Sequence, residues 1–388
     1  MKSKNSLSVG IIGCGNISTT YLTLAPLFKS IEVKAVADID LSAAQLRATE
    51  YGVRAQSVDE LLAAHDIDVI VNLTIPSAHF SVTRRILQAG KHAYSEKPLV
   101  LTLEEGKELR ELADSLGLSI GSAPDTFLGA SHQLARSAVD RGLMGSITGG
   151  TCHFMTPGME DWHPNPDFFY RPGAGPVLDM GPYYLTNLVQ LIGPARTVSA
   201  MASTGFQHRT IGNGPREGEV IDVEIPTNTH ALIEFNSGAV ITFGASWDVR
   251  THRHSLIELY GTDATLYIPD PNFFGGDVEL ARSNDWCEVL PEPGHPFGKQ
   301  TMEDSNGVAR ANYRCAGLAD MADAIINGRK HRCNMDVALH VVDILTSIER
   351  SAATRQWVDM TTSCERPEAL SPEQAQAMLD PDARLPSM

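Results

Sequence analysis

The run Gly13-Cys14-Gly15-Asn16-Ile17-Ser18 follows directly on the apolar residues Val9, Ile11 and Ile12. A pyrophosphate needs such a turn: one glycine makes it tight, a second lets backbone approach oxygen, and the N–H groups opening the next helix face the anion. Gly13 and Gly15 suit the first two roles, with Asn16 and Ile17 at the helix start. Ser18 stands where the usual pattern has a third glycine, and its small side chain still permits close packing. Asp38 ends the next apolar run, Ala35-Val36-Ala37, where a carboxylate can accept both hydroxyls of a dinucleotide ribose. It would repel a 2′-phosphate, so the expected cofactor is NAD rather than NADP. Capping the following helix is the other role open to Asp38, although Asp40 or Ser42 could fill it instead.

A second set of groups suits proton and charge handling. Lys97, between Glu96 and Pro98, follows an apolar stretch, and ligands of open α/β sheets bind at that end of a strand. A surface ion pair with Glu96 is the alternative. Asp179 and Tyr183 are four residues apart, so a helix sets them on one face where both can touch one substrate. No group of His, Cys, Asp and Glu has metal-ligand spacing, so no metal is expected. The six cysteines, from Cys14 to Cys364, lie far apart, which suggests reduced thiols rather than a zinc knuckle or disulfide framework.

These groups need a scaffold. Apolar runs at 8–12, 33–37, 69–73, 92–95 and 119–122 alternate with helical stretches at 42–51, 58–64, 79–89 and 103–116, the pattern of parallel β-α-β units. Gly90 and Gly117 sit where helix C-caps belong. Beyond Pro124 the strands become longer and alternating, with a hairpin turn at Asn236-Ser237-Gly238 between runs 230–235 and 239–247 and another turn at 261–263. One face of that sheet requires cover, from helices or another subunit, and 180–192 is the candidate helix, with Pro182 in its first turn. A last helix over 335–353 carries Val337, Val341, Ile344, Leu345 and Ile348 at core spacing. The expected fold class is α/β: an N-terminal Rossmann domain (1–126), then an α/β domain with a large, mainly antiparallel open sheet (127–362) for substrate binding and oligomerisation. The segment 363–388 holds four prolines and reads as an extended surface tail.

Composition narrows the partners. The 388 residues carry a net charge of −16, which repels phosphate backbones and anionic lipid heads, so neither nucleic acid nor membrane is an expected partner. The apolar run near the start is too short for a signal core or a span, and a cytoplasmic location is expected.

Glu96-Lys97-Pro98, Thr74-Ile75-Pro76 with His79, and Gly173-Ala174-Gly175 followed by Asp179 together resemble the Gfo/Idh/MocA oxidoreductases over roughly residues 7–360. The resemblance implies a Rossmann domain, an α/β domain whose open sheet mediates homodimers or homotetramers, and an active site between them. It assigns the family's lysine to Lys97, its aspartate to Asp179 and its usual histidine to Tyr183, a departure that glucose-fructose oxidoreductase shares. It also implies that Thr74, Pro76, His79, Glu96 and Lys97 contact the cofactor, and that Trp162 lies near nicotinamide and substrate. Asp125 and His163 are candidates for sugar hydroxyls and Tyr170 and Tyr184 for a stacking wall, with structural roles equally open.

Oxidising a secondary alcohol requires hydride to leave carbon while a proton leaves oxygen. Lys97 could stabilise alkoxide character, and Tyr183 could take the proton if the Lys97 ammonium and oxidised nicotinamide favour its phenolate. Lysine and tyrosine form one coupled unit in which either is a candidate proton acceptor. The leading expectation is an NAD-dependent dehydrogenase or reductase of a sugar, glycoside or polyol. A glycoside hydrolase or lyase that oxidises its sugar transiently with tightly bound NAD, and a non-catalytic NAD/sugar-binding regulator, are the alternatives.

Overall fold

The computed structural model describes residues 6–163, 165–283, 286–304 and 307–383. Six parallel strands form the first sheet: β1 Leu7–Ile12, β2 Ile31–Ala37, β3 Arg54–Gln56, β4 Val69–Asn72, β5 His92–Ser95 and β6 Ile120–Ser122, in the order β3-β2-β1-β4-β5-β6. The order reverses beside β1, which opens a crevice at the strands' carboxyl ends. Helices α1 Asn16–Leu24, α2 Leu41–Tyr51, α3 Val58–Ala63, α4 Pro76–Gln88 and α5 Leu103–Leu116 make the crossovers. Local chemistry fixes several ends: Thr102 and Glu105 form a capping box on α5, and Gly117 ends it at φ +64.

The sixth strand, β3, is not among the expected ones. Arg54-Ala55-Gln56 is a short edge with little apolar content, so hydrophobic pattern alone does not reveal it. The helix expected at 79–89 begins earlier, because Pro76 supplies the preset φ of a first helical position.

Among the described residues the second sheet has nine strands. Helix α6 Ala130–Asp140 leads to β7 Ile147–Met155, and α7 Pro176–Ile192 to β8 Ala195–Ser203. A side hairpin, β9 His208–Thr210 with β10 Val220–Asp222, precedes β11 Asn228–Phe235, β12 Val240–Ser246, β13 Ile257–Gly261, β14 Thr265–Ile268, β15 Glu279–Ser283 and β16 Trp286–Val289. A two-stranded ribbon, β17 Met302–Glu303 and β18 Ala309–Arg310, then leads through α8 Ala316–Asn327 and α9 Met335–Thr354 to β19 Val358–Asp359. The order is β16-β15-β14-β13-β7-β12-β11-β8-β19, antiparallel except for β12 with β7. Its inner face, including Val198, Ile233, Ile241 and Leu259, packs with Leu185, Leu188 and Val189 of α7 and Val341 and Ile344 of α9. From the same helix α9, Val342 joins the Rossmann core, so α9 ties the two sheets together.

Two expectations are corrected. Helix α7 starts at Pro176, not at 180, which puts Asp179 in its first turn and Pro182 in its interior rather than at its start. A proline at the first position again sets the true beginning. Nor do residues 363–383 form an extended tail: they fold back, and α10 Pro372–Met378 buries Ala375 and Met378, with Leu370, in the Rossmann core. Backbone bonds from Lys29 to Met378 and from Asp380 to Leu27 fasten it. The rest of that segment, 384–388, lies outside the described residues. Among the described residues no helix is long and apolar enough to cross a membrane.

Candidate active site

The glycine turn between β1 and α1 has two distinct requirements. Gly13 adopts φ +103, where side chains are strained, and a Cβ there would sit 2.6 Å from the Leu73 carbonyl. Gly15 has an ordinary φ of −71, and the space a Cβ would take is open. Helix α1 springs from Gly15 without a side-chain cap, so its opening N–H groups, at Asn16 and Ile17, suit an external anion. Ser18 is buried and its Oγ donates to the Gly15 carbonyl at 2.6 Å, seating the helix on the turn.

Asp38 accepts the Cys14 N–H at 2.7 Å and the Asp40 N–H at 2.9 Å, tying the end of β2 to the turn. The cap of α2 is Asp40, through the Ser42 N–H at 2.9 Å, so Asp38 is not needed there. An open cradle, an uncapped helix start and a carboxylate beside them fit a dinucleotide. Gly13, Gly15, Asn16 and Ile17 would hold its pyrophosphate and Asp38 its ribose.

Lys97 lies just beyond the end of β5. Its Nζ donates to the Asp179 carboxylate and to the Asp179 carbonyl, both at 2.7 Å, and lies 5.3 Å from the centre of the Tyr183 ring. Helix α7 carries Asp179 and Tyr183 on one face, so one turn of helix from the second domain meets one strand end from the first. The Lys97 and Asp179 side chains are only 16% and 22% exposed. Burial alone would lower the lysine's affinity for its proton, but the charges of Asp179 and Tyr183 outweigh it and hold Lys97 above the ordinary lysine range. The lysine is therefore a fixed ammonium at neutral pH.

Other expected contacts receive internal partners. His79 is fully buried, one ring nitrogen 2.6 Å from the Pro98 carbonyl and the other 2.9 Å from that of Thr74, so it braces the loops around the site. Thr74 bonds Asn72 Oδ1 from its N–H and hydroxyl, and Pro76 opens α4. Glu96 accepts the Tyr21 hydroxyl at 2.9 Å and the Lys97 N–H at 3.1 Å, which fixes the strand end. Asp125 is 2% exposed, and its Oδ2 accepts the N–H groups of Cys315 and Gly317 at 3.1 and 2.9 Å. Burial pushes its carboxyl up to about 6, against the lowering pull of Gly317 and Arg314. Asp125 thus caps the start of α8.

Tyr170 is likewise buried: its hydroxyl donates to Glu160 and accepts the Met159 N–H, and its ring packs edge-on against Trp247. Tyr184 is buried beside Phe154. Trp162 is 62% exposed and groups with His163 and Phe169, and His163 with Phe168. Among the described residues these rings contact one another rather than Tyr183. A cavity of about 500 Å³ flanks the loop into α7, lined by Gly173, Gly175, Ile225, Pro226 and Ala352, but not by Lys97 or Tyr183.

One neighbour is absent from the sequence expectations. Arg314, just before α8, places its guanidinium carbon 5.9 Å from the Tyr183 ring centre. No spacing rule links it to Tyr183, since only the fold brings the start of α8 against α7. Among the described residues no cluster of His, Cys, Asp and Glu could hold a metal.

Comparison with known proteins agrees with this architecture. Residues 7–122 match the oxidoreductase family with an NAD-binding Rossmann fold, GFO_IDH_MocA, and residues 132–267 match the GFO/IDH/MocA C-terminal domain. The chain is 24% identical to levoglucosan dehydrogenase of Pseudarthrobacter phenanthrenivorans, over 92% of this chain and 98% of that protein. It is 25% identical to 1,5-anhydro-D-fructose reductase of Ensifer adhaerens, over 66% of this chain and 74% of the relative. An NAD-binding oxidoreductase from Klebsiella pneumoniae has the same fold, with a TM-score of 0.78 at 24% identity, over 92% of this chain and all of the other. Both domains, matched in order along the chain, make it a member of the Gfo/Idh/MocA family of NAD-binding oxidoreductases.

Proposed function

We propose that the protein is an NAD-dependent dehydrogenase or reductase that interconverts a secondary alcohol and a ketone on a sugar, glycoside or polyol. The observation that carries this reading is the Lys97 ammonium, bonded to Asp179 at 2.7 Å and facing Tyr183, at a strand end of the dinucleotide fold. NAD supplies the hydride acceptor when bound. Tyr183 takes the proton of the reacting hydroxyl, and Lys97 stabilises the developing oxyanion from a site largely closed to water. Asp179 holds the ammonium in place. Levoglucosan dehydrogenase, 1,5-anhydro-D-fructose reductase and the Escherichia coli D-glucoside 3-dehydrogenase act on sugars by their names, which supports a ring-shaped polyhydroxy substrate here. The exposed Trp162 and the neighbouring His163 are then candidates for the sugar's outer edge. Met201, Leu232 and Val240, exposed on the outer face of the nine-stranded sheet, support pairing of two copies through that face.

The test is a screen of sugars, glycosides and polyols with NAD, following NADH absorbance, after cofactor released from denatured protein has been measured. NADH formation with one of them is the expected result. Product release without NADH would instead place the cofactor in a transient oxidation, and binding without turnover would make the protein a sensor.

A further inference from the structure

We infer that the cavity beside the loop into α7 is a binding site for a small organic cation, an apolar amine whose ammonium pairs with the Glu349 carboxylate, distinct from the alcohol site at Lys97 and Tyr183.

The cavity holds about 500 Å³, within the range of small-molecule sites. Val177 of α7, Ile225, Pro226 and, from the last turn of α9, Ala352 and Ala353 give it apolar walls. Glu349 is the one charged side chain among the described residues that line it. It lies one helical turn before Ala352 and Ala353, so the three share a face of α9. A ligand there meets hydrocarbon on most sides and a single carboxylate, a pattern that orients a molecule with an apolar body and a charged end.

Nothing in the protein neutralises this carboxylate. Glu349 is open to solvent, yet among the described residues it has neither a hydrogen bond nor an ion pair. The nearest cations along the chain are engaged elsewhere: Arg350 borders a separate cavity with Asp343 and Glu104, and Arg171 acts on Asp167. The lining residues from the loop 172–175, α7, β8 and β11 include no titratable group. The surrounding protein pushes the Glu349 carboxyl up to about 7, and no neighbouring charge contributes to that shift. A carboxylate set among apolar walls without a partner gains most from a cation that brings its own apolar surface. The net charge of −16 draws cations toward the protein in the same sense. A polyhydroxy ring would leave most of its hydroxyls unbonded against these walls, so the cavity does not suit the proposed substrate.

The cavity adjoins the Lys97 site without sharing its side chains. Gly175 lines it, and the Gly175 carbonyl accepts the Asp179 N–H at 2.9 Å. An occupant therefore touches the backbone that seats Asp179, whose carboxylate holds Lys97. Gly175 has φ +100 and a Cβ there would lie 2.9 Å from Ile225 Cδ1, so glycine lets the loop pack on Ile225 at the cavity wall.

The test uses the NAD-bound protein and benzylamine as the probe, with benzyl alcohol as its uncharged counterpart, followed by calorimetry and saturation-transfer NMR. At about pH 8, where Glu349 is ionised and benzylamine protonated, the amine should bind at least about tenfold more tightly than the alcohol. Glu349→Gln should remove that difference. Ala352→Phe fills the apolar wall and leaves the carboxylate, so it should abolish binding of both probes. Affinity for the amine should fall as pH drops through about 7, because the carboxyl takes up its proton, and Glu349→Gln should show no such fall. Lys97→Met should bind the amine as the unmodified protein does, which separates this site from the alcohol site. Equal affinity for amine and alcohol, unchanged amine binding in Glu349→Gln or Ala352→Phe, or loss of binding in Lys97→Met overturns the inference. So does the absence of amine binding to the unmodified protein, the result expected if a side chain of a second copy already fills the cavity. Glu349 is open to solvent, so glutamine there should leave the fold intact, which circular dichroism verifies.

Discussion

Replacing Lys97 by methionine separates what the lysine does for the fold from what it does for the reaction. Methionine fills much of the same space but removes the ammonium, with its two 2.7 Å hydrogen bonds to Asp179. Asp179 is then left as a poorly solvated carboxylate, 22% exposed. Breaking a fully buried pair costs about 3–5 kcal/mol, and the partial solvent access here reduces this to about 2 kcal/mol. The rate should fall by about 10² to 10³, the usual loss when one charge partner of a developing oxyanion disappears. NADH binding should change little, because the glycine turn and Asp38 lie elsewhere on the sheet. Denaturant unfolding, NADH titration and initial rates measure the three effects separately. The double variant Lys97→Met/Asp179→Asn removes the stranded charge, so it should regain at least half of the lost stability while remaining slow. Normal turnover in Lys97→Met would take the lysine out of the mechanism, and full stability in that variant would refute the buried ion pair as a stabilising contact.

Three further outcomes follow from the geometry around the site. Gly15→Ala meets no neighbouring atom, so its unfolding midpoint should stay within experimental error while NADH binding weakens at least about tenfold, and unchanged binding would remove the turn as the pyrophosphate site. Asp38→Ala should narrow the preference for NADH over NADPH in fluorescence titrations, mainly by weakening NADH, and equal affinities in the unmodified protein would contradict the ribose role. Burial raises the folded Asp125 carboxyl to about 6, above the ordinary aspartate range near 4, so its stabilising contribution is complete below about pH 4 and is lost as pH rises through about 6. Unfolding of Asp125→Asn across that range should lack this decline of roughly 3 kcal/mol, whereas an unchanged pH slope would show that Asp125 is not the group responsible.

The local pattern of the chain was sufficient to determine the dinucleotide turn and five of the six strands around it. Strand, glycine turn and acid are close in sequence, and the physics that joins them acts over a few residues: a positive φ at Gly13, a helix start at Asn16 and alternating apolar runs. The same holds for Asp179 and Tyr183, whose common face follows from helical spacing once α7 exists. Tertiary structure alone decided which groups meet across the chain. His79, Asp125 and Tyr170 have the chemistry of site residues, yet packing turns each inward to carbonyls, N–H groups or Glu160. Arg314 shows no periodic signal and reaches Tyr183 because a left-handed Cys315, anchored on Asp125, bends the chain toward α7. The segment 363–383 looks polar and proline-rich, but the few apolar residues it holds, Leu370, Ala375 and Met378, fill the remaining gap in the Rossmann core. Burial is a property of the complementary surface, and a sequence window contains only one side of it.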